Sequence, residues 1–106
     1  MATHDYSGVN EFPHWDRITL TNANEADVLT LPGPPVVVVF GPLTNSCRIS
    51  HTGTGGAQLA DDFKTIPGDS SYACGISTRQ PLSTLYVDTG TGGTVVEIEL
   101  ARPVDM

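Results

Sequence analysis

The chain has 106 residues, a size that suits one domain. Its formal net charge of −7 argues against a nucleic-acid partner, because holding phosphates takes Lys and Arg. Thirteen Thr, 11 Gly and 8 Pro beside a single Lys exclude a long helical bundle, which is built from Ala, Leu, Glu, Lys and Arg. The longest apolar run, Val36-Val37-Val38-Val39-Phe40, falls far short of the ~20 residues that cross a bilayer, so no membrane span is expected.

In chain order, residues 1–16 show no hydrophobic period. With no basic start and no apolar stretch they do not form a Sec signal peptide, and the expectation is a protein assembled in the cytoplasm or released by lysis. They read as an extended N-terminal arm ahead of a single β domain, residues 17–106. The arm carries three of the chain's aromatics, Tyr6, Phe12 and Trp15, so it is expected to lie on something, either its own domain or a neighbouring subunit.

From Arg17 the period is two. Ile18 and Leu20 point one way, and Arg17, Thr19 and Thr21 the other. Residues 22–26 form a turn, Leu29 and Leu31 resume the alternation, and Pro32-Gly33-Pro34-Pro35 stops it. Residues 36–40 are apolar throughout and suit a strand covered on both faces. Cys47 and Ile49 then face inward, with Arg48 and Ser50 outward. Leu59, Phe63 and Ile66 fit two helical turns, or a loop followed by a short strand. Tyr72, Cys74 and Ile76 alternate, as do Leu85 with Val87 and Val96 with Ile98 and Leu100. Six to eight short antiparallel strands separated by Gly/Pro turns predict an all-β fold, a small β-sandwich or barrel. The expected core is Ile18, Leu20, Leu29, Val37, Val39, Ile49, Cys74, Ile76, Leu85, Val87, Val96, Ile98 and Leu100. Cys47 and Cys74 are read as free thiols in that core rather than a bridge.

Thr52-Gly53-Thr54-Gly55-Gly56 recurs as Thr89-Gly90-Thr91-Gly92-Gly93. A phosphate loop would lead into a helix, whereas Thr94-Val95-Val96-Glu97-Ile98 is a strand, so the second copy reads as a hairpin loop with glycines at positive φ. Gly68-Asp69-Ser70-Ser71 is similar to the opening of one esterase class, but no His follows His51, and Gly68-Asp69 reads as a turn. His51, Ser70 and Asp88 make only a formal triad, which geometry must decide. His4, His14 and His51 are too scattered for a metal, and Asp61-Asp62 lacks the pattern of a calcium loop. Glu97 and Glu99 read as the wet face of an amphipathic strand. No catalytic, cofactor or metal site is therefore expected, and the chain is read as non-enzymatic.

The order of a polar hairpin, Leu31-Pro32, Pro35-Val36-Val37-Val38-Val39-Phe40-Gly41, Thr65-Ile66-Pro67-Gly68, Leu82-Ser83-Thr84-Leu85-Tyr86-Val87 and Gly92-Gly93-Thr94-Val95-Val96-Glu97-Ile98 resembles the small β-rich virion proteins of tailed bacteriophages. The likeness is greatest to capsid decoration (cement) proteins and spans about residues 17–101. Head–tail connector, tail and fibre-associated subunits share the style. The resemblance implies a β-sandwich or barrel, often trimeric, that binds the major capsid protein on the shell surface and stabilises it, with no catalytic residues to carry over. Tyr6, Phe12, Pro13 and Trp15 of the arm are the expected partner-binding residues, because Pro13 stiffens the segment and the aromatics offer large buried area. The alternative is that Phe12 and Trp15 cap their own sandwich. A glycan-binding β-module is the other function class, for which Trp15 and Tyr86 are the available aromatics.

Overall fold

Alternation of apolar and polar side chains lays the chain into two stacked sheets. The structure is a computed structural model and describes residues 1–60 and 62–103. Its strands are β1 (Thr3–Asp5), β2 (His14–Leu20), β3 (Asp27–Thr30), β4 (Val36–Pro42), β5 (Cys47–Ser50), β6 (Phe63–Ile66), β7 (Tyr72–Ile76), β8 (Thr84–Asp88) and β9 (Thr94–Ala101). One sheet runs β1-β3-β8-β5-β6 and the other β2-β9-β4-β7. The expected all-β sandwich is therefore observed. It has nine strands among the described residues, and β1 runs parallel to β3. No helix among the described residues is long and apolar enough to cross a membrane.

The eight-residue β9 is central to its sheet, antiparallel to both β2 and β4. Its inward residues Val96, Ile98 and Leu100 are buried against the facing sheet's Leu29, Ile49, Leu85 and Val87. Each such side chain contributes about 1.5–3 kcal/mol on burial. Ile18, Leu20 and Ile76 are also buried as expected. Two expected core positions are corrected. Val36, Val38 and Phe40 form the buried face of β4, and Val37 and Val39 are half-buried on its outer face. A run of five apolar residues carries no phase, and the register with Cys74 and Leu100 sets it instead. Cys74 has the expected inward parity but is only half-buried, since β7 is an edge strand.

Of the two resting places expected for the N-terminal arm, its own domain is the one residues 1–16 occupy. Thr3–Asp5 pairs with Val28, Leu29 and Thr30, and the Tyr6 amide donates to the Thr30 carbonyl at 2.8 Å. Tyr6 is 4% exposed within the core, Val9 and Phe12 pack against that core, and β2 already begins at His14. Tyr6 supplies the reason, because burying its ring offsets the entropy of ordering the segment.

Of the two readings for residues 59–66, the loop followed by a strand is the one observed, with Leu59 and Ile66 buried and Phe63 exposed. The second Thr-Gly repeat is not a hairpin, because it joins β8 of one sheet to β9 of the other. Its last glycine, Gly93, does take positive φ (84°), as does Gly56 (85°) in the first copy. Gly68 is required for another reason. A Cβ there would collide with the Thr44 carbonyl, where the turn after β6 crosses the chain beyond β4.

Candidate functional site

The outer faces of the two sheets are treated differently. On the five-stranded sheet, the connection between β5 and β6 folds back as a roof. Leu59 is buried beneath it, and the backbone is tied down by Ala26 N–H to the Ala57 carbonyl and Gly56 N–H to the Ala26 carbonyl, both 2.9 Å. Under this roof Arg48 of β5 and Asp88 of β8 are register partners. Arg48 Nε donates to Asp88 Oδ1 at 2.8 Å and Nη2 to Oδ2 at 3.0 Å, while the Leu59 amide also donates to Oδ2 at 2.9 Å. Asp88 is 0% exposed. Its oxygens are committed to Arg48 and Leu59, and His51 is exposed beyond the end of β5, so the formal triad of His51, Ser70 and Asp88 is not assembled.

The outer face of the four-stranded sheet has no such roof among the described residues. Trp15 of β2 and Glu99 of β9 are cross-strand neighbours, as are Arg17 and Glu97. The Trp15 indole Nε1 donates to Glu99 Oε1 at 2.6 Å, and Arg17 Nη2 donates to Glu97 Oε2 at 2.7 Å. Trp15 is 70% exposed. The indole forms one wall of a recess of about 300 Å3, with Val39 and Gly41 of β4, Ser71, Glu97 and Glu99 around it. A second recess shares Gly41, Ser71 and Glu97 and reaches Asp69 and Ser70. Together they form an acidic trough with an aromatic wall and a floor of small side chains.

The four expected partner-binding residues separate on this fold. Pro13 and Trp15 are exposed, and Trp15 is the aromatic wall. Phe12 is half-buried beneath the Arg102 guanidinium, 4.4 Å from its ring centroid. Tyr6 faces the core. It is buried, its hydroxyl donates to Asp16 Oδ2 at 2.7 Å, and burial followed by that carboxylate pushes its phenol well above the ordinary range. Capping of the domain's own core, the alternative for Phe12, describes that residue but not Trp15.

His4 Nε2 lies 2.9 Å from Asp27 Oδ2, and no group of three or more His, Cys, Asp and Glu converges as a metal site among the described residues. Glu97 and Glu99 face outward as expected, and their pairing with Arg17 and Trp15 was not foreseen. The trace available in the sequence was the shared alternation of residues 14–20 and 94–101. Both cysteines are free. Burial pushes the Cys47 thiol up to about 12, with Asp88 adding to the effect, and burial also raises Cys74. The chain matches no protein-family model, no curated protein and no solved structure.

Proposed function

We propose that this chain is a non-enzymatic structural virion subunit of the capsid-decoration kind, which binds the major capsid protein on the outer shell and stabilises it. The observation that carries the reading is the placement of its exposed aromatics. Trp15 is exposed on β2 at one edge of the sandwich, and Phe63 and Tyr72 are exposed on β6 and β7 at the other. Open aromatic side chains rimmed by charge are the anchors that protein–protein contacts use. Buried polar side chains among the described residues are all bonded internally, so the surface is left to carry recognition. A net charge of −7 favours solubility at high copy number. The resemblance in the order of its sequence segments supports the same role, and a connector, tail or fibre-associated subunit would draw on the same features.

The test begins with particles produced by the genome that encodes the chain. Mass spectrometry is expected to find it in fixed stoichiometry with the major capsid protein. Recombinant protein is expected to sediment with undecorated shells and to raise their resistance to heat. Particles that lack the chain, or shells that leave it in the supernatant, would overturn the reading.

The Trp15 trough favours one second reading, a glycan-binding module. A sugar ring can stack its C–H face on the indole while its hydroxyls bond Glu97, Glu99 and Ser71. Retention on immobilised glycans that Trp15→Ala abolishes would support that reading, and an empty glycan array would dismiss it.

A further inference from the structure

The side of the sandwich opposite β1 and β2 carries complementary features. Here β6 and β7 are the terminal strands of their sheets, and each has a hydrogen-bonded neighbour on one side only. Between them opens a groove of about 270 Å3, apolar at Ile49, Leu82 and Leu85 and polar at Ser50, His51 and Asp62. Phe63 and Tyr72 flank it, 40% and 38% exposed. Lys64, the only lysine of the chain, holds its Nζ 5.3 Å above the Tyr72 ring. Among the described residues no carboxylate forms an ion pair with it.

One patch thus has an aromatic wall and carboxylates with Gly41 in its floor. The other has the Lys64 ammonium group above the Tyr72 ring, with no ion-pair partner among the described residues, beside a groove that Phe63 also lines. They lie on different surfaces of the same molecule, so every copy carries both halves of a contact. We propose that copies of this chain associate head to tail, with the Phe63, Lys64 and Tyr72 rim of one copy seated on the Trp15, Glu97 and Glu99 face of the next.

This inference rests on the reading of the chain as a structural subunit and names the surfaces through which it assembles. Lys64 meets the Glu99 carboxylate, and Tyr72 packs against Trp15 over the small floor. Opposite charges fix the register of the contact, and the aromatics supply its apolar area. The contact is heterologous, so it closes into a ring or runs on as a filament. Either outcome shields the open edges of β6 and β7, which in a lone subunit would invite unwanted strand pairing.

The protein supplies its own probe, since Trp15 is its single tryptophan. Sedimentation and tryptophan emission are followed on the full chain from micromolar to millimolar concentration. Mass is expected to rise with concentration, in step with a blue shift of the emission. Trp15→Ala, Lys64→Glu and Glu99→Lys should each weaken association by about tenfold or more, and Lys64→Glu combined with Glu99→Lys should restore most of it. A monomer throughout the range, association that these variants leave unchanged, or a charge swap that restores nothing would overturn the proposal. Lys64→Glu and Trp15→Ala change exposed side chains and keep the test decisive if Glu99→Lys fails to fold. Shell sedimentation separates the two readings. A monomer that still binds shells overturns the head-to-tail contact alone, and an oligomer that ignores them overturns the virion role alone.

Discussion

Two ion pairs of nearly equal length have opposite meanings in this molecule. Arg48 and Asp88 meet at 2.8 Å beneath the β5–β6 connection, where the carboxylate has no solvent. Arg17 and Glu97 meet at 2.7 Å on the bare face of the other sheet, both more than half exposed. Water solvates the second pair almost as well apart as together, so its net contribution is small. The first pair has no such alternative. If either partner is lost, a desolvated charge is stranded. The roof over one sheet therefore converts a cross-strand pair into a structural element, and its absence over the other among the described residues leaves the charges in water.

The largest expected effect tests the covered pair. Asp88→Ala strands Arg48 and the Leu59 amide, and should cost about 3–5 kcal/mol in urea unfolding. A loss below about 1 kcal/mol would mean that water reaches this pair as it reaches the exposed one. The roof itself comes next. Leu59→Ala should cost about 2–4 kcal/mol and speed hydrogen exchange at the β8 amides beneath it. Glu97→Ala, on the bare face, should change stability by less than about 1 kcal/mol, and the change should shrink further at high salt.

The smallest effect at neutral pH concerns the thiols. Burial moves Cys47 from its ordinary 9.0 up to about 12, so the unfolded chain releases this proton first as pH rises. Its contribution to stability is complete below pH 9 and is lost between pH 9 and 12, and Cys47→Ala should flatten that part of the unfolding-midpoint profile. Tyr6, also shifted upward, adds a slope of the same sign that Tyr6→Phe removes. At pH 8 a thiol reagent should label half-buried Cys74 well before Cys47.

Residues 17–20, 47–50, 72–76, 84–88 and 94–101 were legible as strands because one face of each is apolar, or nearly so, and period two follows from the backbone alone. Composition alone excluded a helical bundle. Three matters lay outside what local pattern can carry. Thr3–Asp5 has no apolar alternation and becomes a strand only because β3 offers an open edge and Tyr6 finds a place in the core. The uniform run of residues 36–40 could have faced either way, and its phase was set by the register with β7 and β9. The Trp15–Glu99 and Arg48–Asp88 pairs join residues 84 and 40 positions apart.

By itself the sequence determined that the chain makes short strands, roughly where most of them lie, and which residues of the alternating strands are apolar enough to face a core. Those are properties of neighbouring residues and of a backbone whose side chains alternate. Only the tertiary structure decided which strands adjoin, which outer face is roofed and which stays bare. Those outcomes depend on cross-strand register and on where the β5–β6 connection settles, and both are set by burial between segments distant in the chain. Glu97 and Asp88 are both acids in strands with period-two alternation. One remains in water and the other does not, because Leu59, 29 residues before Asp88, covers only one of them.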